Sequence, residues 1–139
     1  MDSRELMSYA VEAMSRSYSP YSGFRVGAAL LTDDGQIYTG CNIENAAFTP
    51  TVCAERVAVF KAVSDGKTSF SKIAVVGGSS GTVKSFTYPC GVCRQVMREF
   101  CGGDFVIIVT DGTNIREHTL DEIMPYSFSP ADLSGGNEE

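Results

Sequence analysis

The stretch TVCAERVAVFKAV (residues 51–63) decides how the rest of the chain is interpreted, because it predicts a helix with reactive side chains in its first turn. Thr51 is the expected N-cap, with an oxygen able to accept from the free amides of that turn. Cys53 and Glu55 would then lie at the positive end of the helix dipole, which stabilises a thiolate and a carboxylate. With Arg56 beside them, the pattern favours chemistry. A helix start with one structural cysteine is the alternative.

Length and composition limit the number of domains and the classes of function that the chain can have. A chain of 139 residues is enough for one domain, which we expect over residues 1–133, with a frayed tail over residues 134–139. Apolar residues make up 43% of the chain and charged residues 20%, as in soluble globular proteins. A net charge of -6 argues against a polynucleotide substrate. No apolar run of about 18 residues is present, so no membrane span is expected.

The cysteine content bears on the compartment. The N-terminal residues lack the basic-then-apolar plan of a signal peptide, and the chain has five cysteines, an odd number. We therefore expect a reducing cytoplasm. In that setting clustered cysteines are more often metal ligands or catalytic groups than disulfides.

Strand and helix patterns alternate along the chain. Continuous apolar runs at residues 73–78 and 104–110 are typical of strands buried on both faces. This alternation predicts an α/β protein with a three-layer α/β/α sandwich. The other expected elements are a helix at 5–17, strands at 24–32 and 37–44, a helix at 90–100, an edge strand at 114–119 and a short helix or turn at 120–125.

A second pair of cysteines supplies further ligands. Cys90 and Cys93 have the C-x-x-C spacing that lets two thiolates bind one ion, although this spacing alone is a weak signal. They open a predicted helix, as Cys53 does, so two helix starts aimed at one point would bring three thiolates together. Three protein ligands with one open position is the arrangement of catalytic zinc. A redox dithiol with one separate buried cysteine remains an alternative.

The remaining candidate ligands are poorly placed. His118, the one histidine, lies in the predicted edge strand. Cys41 falls in a strand and Cys101 at a helix end, where both are expected to fill space. No side chain is therefore favoured as a fourth ligand.

Charge balance identifies two supporting residues. Three thiolates on a divalent ion sum to a negative charge, which weakens activation of a bound water. Arg56 lies three residues after Cys53, hence on the same helix face, and Arg94 follows Cys93 directly. We expect both arginines to compensate the thiolates; a solvated helix surface is the alternative for each.

These residues resemble the small homotetrameric zinc-dependent cytidine deaminases. The resemblance rests on Cys53-Ala54-Glu55-Arg56 and on Pro89-Cys90-Gly91-Val92-Cys93-Arg94-Gln95. It extends over roughly residues 18 to 133, through 20–30, 40–46 and 125–128. It implies a cytidine deaminase-like sandwich with a mixed five-stranded sheet. It also implies hydrolysis of cytidine or deoxycytidine to uridine or deoxyuridine and ammonia, as in pyrimidine salvage.

The resemblance further implies residue roles. Three cysteines, Cys53, Cys90 and Cys93, would bind one Zn²⁺ per subunit, with water as the fourth ligand. Glu55 would take the water's proton, deliver it to the pyrimidine ring nitrogen and help protonate the departing ammonia. The backbone amide of Ala54, between ligand and base, is a further candidate contact to the pyrimidine.

The substrate pocket is implied in the same way. Asn42 and Glu44 would hold the ribose hydroxyls, on one face of their strand. Phe24 would face the base, and Phe128 would reach into a neighbouring subunit's site, so the active sites of a tetramer would be shared. The carboxylate of Glu44 should repel a phosphorylated sugar, which favours nucleosides over nucleotides.

Other functions stay open on the sequence. A deaminase acting on RNA, DNA or a modified or antibiotic aminopyrimidine nucleoside would share the zinc motifs. A structural zinc or redox module would need neither Glu55 nor Asn42 and Glu44. The segment 47–52, Ala-Phe-Thr-Pro-Thr-Val, departs from the family, which has a tyrosine where Phe48 stands. This departure bears on substrate affinity and the subunit contact more than on the chemistry.

Overall fold

A five-stranded sheet forms the centre of the computed structural model, which describes residues 1–134. Of the expected tail, 135–139 lies outside the described residues. The strands are β1 (Phe24–Thr32), β2 (Ile37–Cys41), β3 (Phe70–Ser79), β4 (Val106–Thr110) and β5 (Ile115–Thr119). The helices are α1 (Ser3–Met14), α2 (Ala54–Ser64), α3 (Gly91–Phe100), α4 (Leu120–Ile123) and α5 (Pro130–Ser134).

The sheet is mixed, as predicted. Its order is β2-β1-β3-β4-β5, with β3 and β4 parallel and the other neighbouring strands antiparallel. Helix α1 packs on one face, and α2 and α3 pack on the other. The three-layer sandwich is therefore confirmed. No helix within residues 1–134 is both long enough and apolar enough to cross a membrane.

Alternate residues of the central strands feed two cores. In β1, Ala28 and Leu30 pack toward α2 and α3, whereas Ala29 packs toward α1. In β3, Val75 and Val76 divide in the same way. Because side chains alternate across a strand, one apolar run supplies both layers. This double burial explains why β3 and β4 read as continuous apolar stretches.

Two glycines set how closely the helices approach the sheet. A Cβ added at Gly27 would lie 2.0 Å from the carbonyl oxygen of Ala10 in α1. A Cβ at Gly40 would lie 2.4 Å from the carbonyl oxygen of Ala54, the first residue of α2. Backbone oxygens cannot move aside without displacing their helices. Gly40 therefore fixes the start of the helix on which Cys53 and Glu55 are placed.

We expect Gly27→Ala to lower the free energy of unfolding by about 3 kcal/mol or more, because the new methyl group overlaps helix backbone rather than a flexible side chain. Gly91→Ala is the matched control, since nothing lies within 4 Å of its Cβ position and its backbone is not left-handed. The measurement is urea unfolding of both variants and the wild type. Equal destabilisation by the two substitutions would show that close helix packing is not the cause.

The predicted start of the second helix was wrong. The helix begins at Ala54 with Cys53 as its N-cap, so Thr51 is not the cap. Instead, the Thr51 hydroxyl accepts from the amide of Asn45 at 3.0 Å. The reason is a backbone bridge between Ile43 and Val52, with two 3.0 Å hydrogen bonds that keep the chain extended through residue 52.

Other boundaries also moved. Helix α1 begins at residue 3 and ends at residue 14; Asp2 caps it by accepting from Glu5 at 2.8 Å. Strand β3 covers residues 70–79 instead of 73–78, and β4 and β5 begin at residues 106 and 115 instead of 104 and 114. Strand β2 ends at Cys41 instead of Glu44, because the chain leaves β1 to bridge Val52. Helix α5 was not predicted.

Candidate metal centre and active site

Three cysteine thiols converge where two helices start. Cys53 is the N-cap of α2, Cys90 is the N-cap of α3, and Cys93 lies in the first turn of α3. Their Sγ atoms all lie within 4.8 Å of one another. The Sγ atoms of Cys53 and Cys90 are 3.8 Å apart, and the Cys90 sulfur accepts from the amide of Cys93 at 3.5 Å. The structure therefore brings all three predicted ligands together.

This spacing fits a tetrahedral zinc ion. Sulfurs bound to one zinc at about 2.3 Å lie about 3.8 Å apart, whereas a disulfide would need about 2.05 Å. All five cysteines are free. Within residues 1–134 no histidine, aspartate, glutamate or fourth cysteine joins the cluster. Three ligands leave one coordination position for water or substrate, and the convergence of three thiols does not fit the alternative of a redox pair with one separate cysteine.

Arg56 contacts the cluster directly. Its Nη2 donates to the Cys53 sulfur at 3.4 Å. The pKa of Cys53 is lowered to about 5, first by a hydrogen bond from the Cys93 thiol and then by Arg56 and Cys90. The same hydrogen bond, followed by burial, raises the pKa of Cys93, because its proton is the one shared with the Cys53 thiolate. The site therefore favours a thiolate even before a metal ion adds its charge.

Arg94 makes a different contact from the one its position next to Cys93 suggested. Its Nε donates to the Pro89 carbonyl at 2.7 Å and its Nη1 to the Ile123 carbonyl at 2.5 Å. Successive residues on a helix point in different directions, so Arg94 faces the loop before α3. It ties the residue before Cys90 to α4.

Glu55 lies beside the ligands and out of water. Its side chain is 4% exposed. Burial raises the pKa of this carboxyl to about 7, and the charge of Cys53 adds to the shift. Ala54, between Cys53 and Glu55, is fully buried in the core of this face. A carboxyl that titrates near neutral pH suits proton transfer in both directions.

The Ile43–Val52 bridge lies next to the first metal ligand in the chain, because Val52 directly precedes Cys53. Asn42 and Glu44, the predicted sugar-binding residues, flank Ile43 in this bridge. Asn42 is buried; its Oδ1 accepts from the Val26 amide at 2.9 Å and its Nδ2 donates to the Phe24 carbonyl at 2.8 Å.

Glu44 is held by the turn before β1. It accepts from the amides of Tyr21 at 2.9 Å and Ser22 at 3.1 Å, and also from the Ser22 hydroxyl. The Ser22 hydroxyl and these amides hold the pKa of Glu44 below its usual value. The carboxylate therefore stays ionised. It lines a hollow of about 430 Å³ with Tyr21, Ser22, Asn45, Phe48 and Thr51.

The two predicted phenylalanines lie in different places. Phe24 is 37% exposed, and its ring lies against Gly77: a Cβ added at Gly77 would be 3.0 Å from the Phe24 Cε2 atom. Phe128 is 57% exposed, and its carbonyl accepts from Gln95 Nε2 at 3.0 Å. Phe24 is thus tied to Asn42 through its backbone, whereas the Phe128 ring points away from the core.

A protein-family model described as the cytidine and deoxycytidylate deaminase zinc-binding region matches residues 1–109. The chain belongs to this family. A cytidine deaminase from Sporosarcina psychrophila is 49% identical over the full length of both chains. The crystal structure of a cytidine deaminase from Burkholderia pseudomallei is 38% identical, with a TM-score of 0.84 over 92% of this chain and all of that one. Blasticidin-S deaminase from Bacillus cereus is 32% identical, over 90% of this chain and 91% of its own.

Membership in this zinc-binding deaminase family agrees with the metal centre. The predicted zinc cofactor is confirmed, because the family is zinc-binding and the three thiols are positioned for a metal ion. Sequence reasoning missed two serines, Ser17 and Ser22, whose hydroxyls donate to Asn42 and Glu44. Ser22 lies in the stretch 20–30 that resembles the family, so there was a reason in the sequence to consider it as a site residue. Ser17 follows α1 and lies outside the stretches that resemble the family, so nothing in the sequence pointed to it.

The raised pKa of Glu55 predicts a pH-dependent stability in the metal-free deaminase. Because the folded chain holds this proton more tightly than the unfolded chain, the stabilisation is fully present below about pH 4.5 and is lost as the pH rises through about 7. The loss amounts to about 3 kcal/mol. Glu55→Gln, which cannot ionise, should therefore exceed the wild type in stability at pH 8 but match it at pH 4.5. Urea unfolding of chelator-treated protein at both pH values measures this, and parallel profiles for the two proteins would contradict it.

Proposed function

We propose that this protein deaminates free cytidine and deoxycytidine hydrolytically, giving uridine or deoxyuridine and ammonia for pyrimidine salvage. The observation that carries the proposal is the buried carboxyl of Glu55 in the first turn of α2. The N-cap of the same helix is Cys53, which belongs to the cluster of three thiols. A structural zinc site would be closed by a fourth ligand and needs no buried carboxyl. The relatives described as cytidine deaminases support the same substrate class.

Each side chain has a defined part in this reaction. Cys53, Cys90 and Cys93 would hold the zinc, which supplies Lewis-acid activation of water near neutral pH when it is bound. Glu55 accepts a proton from the attacking water and delivers it to the pyrimidine ring nitrogen. It then takes the proton of the hydroxyl group added at the amine-bearing carbon and passes it to the amine, so that the C–N bond breaks, ammonia leaves and the carbonyl of uridine forms. One carboxyl that takes up and releases a proton in turn can act as base and as acid, and burial of Glu55, which raises its pKa, keeps competing water away.

Arg56 supports the ligands electrostatically. It donates to the Cys53 sulfur and offsets part of the negative charge of three thiolates. Arg94 supports them mechanically, by holding the Pro89 carbonyl next to Cys90. Removal of the Arg56 charge would weaken zinc retention, whereas removal of Arg94 would loosen the position of Cys90.

The pocket residues set the substrate class. Asn42 and Glu44 are fixed by hydrogen bonds beside the ligands and would meet the ribose hydroxyls, while Phe24 would face the base. The amide of Ala54 would contact the pyrimidine. An ionised Glu44 repels a sugar phosphate, so cytidine is preferred to its monophosphate. Side-by-side assays of ammonia release from the two compounds test this preference, and equal kcat/KM values would contradict it.

A modified nucleoside is the second candidate substrate. The match to blasticidin-S deaminase supports it, at 32% identity against 49% for a cytidine deaminase. Assays of cytidine and of blasticidin S with the same zinc-loaded protein decide between them. If the protein deaminates blasticidin S and not cytidine, the antibiotic nucleoside is the substrate and the cytidine proposal is wrong. RNA and DNA are disfavoured by the net charge of -6.

We also propose a homotetramer with shared active sites. Helix α2 buries one side against the sheet, yet its opposite side carries Val57 and Phe60, which is 48% exposed. With Tyr38 and Val52 they line a groove of about 630 Å³. Apolar side chains on the solvent side of a helix are a candidate contact surface for another subunit. The exposed Phe128 ring is the proposed contribution to the neighbouring site. Sedimentation equilibrium tests the assembly, and a fully active monomer would contradict it.

Two further properties belong to the same proposal. Residues 1–133 act as one domain, supported by the single sheet that both cores share. The compartment is the cytoplasm, supported by five free cysteines and a thiolate site that needs reducing conditions. Fractionation of cells that express the protein tests the compartment.

A further inference from the structure

The loop that carries Cys90 to the metal centre lacks backbone support. Among residues 1–134, no backbone hydrogen bond joins residues 84–89 to other backbone groups. Cys90 itself is exposed, unlike the buried Cys93. The loop must therefore be held by contacts that involve side chains, its own or those of its neighbours. If these contacts were lost, the position of Cys90 would be the first feature of the metal centre to change.

Strand β5 supplies two of those contacts. The Tyr88 hydroxyl lies 3.1 Å from His118 Nε2, and the two rings meet edge to face with centroids 5.4 Å apart. Two residues earlier on each segment, the Arg116 guanidinium lies 3.9 Å from the centre of the Phe86 ring. The loop thus runs alongside β5 with matched two-residue spacing, and side chains replace a backbone ladder.

Tyr88 stands two residues before Cys90 and next to Pro89, which is buried. Pro89 restricts the backbone between them, so a shift of Tyr88 is transmitted to Cys90. Arg94 holds the Pro89 carbonyl from the other side at 2.7 Å. His118, the one histidine of the chain, is not a member of the thiol cluster.

We propose that His118 is a positioning residue that acts through Tyr88 to hold Cys90 at the metal and slow the release of zinc. The inference rests on the proposed zinc-dependent function. The Tyr88 hydroxyl and His118 Nε2 share one hydrogen bond, and the edge-to-face contact between the two rings fixes both planes. Outer contacts of this kind orient metal ligands without touching the metal.

The test is the rate at which zinc passes from the zinc-loaded protein to the chromogenic chelator 4-(2-pyridylazo)resorcinol. We expect His118→Ala and Tyr88→Phe each to accelerate release by about tenfold. The double variant should release zinc no faster than the faster single variant, because both changes remove one hydrogen bond. His118→Gln, whose amide can both accept and donate a hydrogen bond, should restore part of the slow release. Glu117→Gln is the control; Glu117 lies on the other face of β5, accepts from Ser3, and should leave the rate unchanged.

The outcomes separate this inference from the proposed function. Wild-type protein that binds no zinc would refute the proposed function itself. Zinc-loaded Tyr88→Phe that releases zinc at the wild-type rate would overturn the positioning role, and this variant keeps the ring, so it is expected to fold. Additive acceleration in the double variant would also overturn it, because the two side chains would then act independently.

Discussion

Glu55→Gln will lower kcat for cytidine by about 10²- to 10⁴-fold, the range that general acid–base catalysis supplies. The amide has nearly the same volume but neither accepts a proton from water nor delivers one to the ring nitrogen. Zinc should remain bound, because Glu55 is not a member of the thiol cluster. KM should change far less than kcat, since the proton transfers belong to the chemical step rather than to binding.

Glu99→Gln is the matched control for that experiment. Glu99 is an exposed helical glutamate on α3, outside the proposed site, and its amide variant should keep wild-type kcat. Zinc content is measured on each preparation, so that a loss of metal is not mistaken for a loss of proton transfer. A zinc-loaded Glu55→Gln protein with wild-type kcat would falsify the assigned role.

Cys53→Ser is expected to have the second large effect. Serine is a hard, weakly acidic ligand in place of a thiolate, and only two thiolates would remain for the ion. We expect zinc content to fall from one ion per chain to almost none, with deamination lost in parallel. Added zinc should raise the melting temperature of the wild type but not of the variant, because a ligand stabilises only a fold that binds it.

Cys41→Ser is the control for the loss of a cysteine. Cys41 lies at the end of β2, where its sulfur donates to the Arg16 carbonyl at 3.5 Å, a bond that a serine hydroxyl can replace. This variant should keep full zinc content. Equal zinc loss in both variants would mean that cysteine substitution perturbs the fold in general, and it would contradict the assignment of Cys53 as a ligand.

The features that sequence predicted best are those set by local periodicity and spacing. The C-x-x-C pair and the helix after Cys53 placed three thiols at two helix starts, and the structure brings them within 4.8 Å. The continuous apolar runs correctly indicated strands β3 and β4.

The features that sequence did not predict depend on long-range contacts. Thr51 has a good capping side chain, but the bridge from Ile43 to Val52 delays the helix until residue 54. Propensity describes a residue and its neighbours, whereas this bridge joins segments nine residues apart along the printed sequence. The pairing of Tyr88 with His118 spans thirty residues and leaves no periodic pattern.

Zinc-loaded protein should add water to the amine-bearing carbon of cytidine. The most direct measurement is to run the reaction in water enriched with oxygen-18 and to determine the mass of the product by mass spectrometry. We expect uridine that carries one solvent oxygen at the former amine position, together with an equal amount of ammonia. Unchanged cytidine with a full complement of zinc, or uridine without the solvent label, would contradict it.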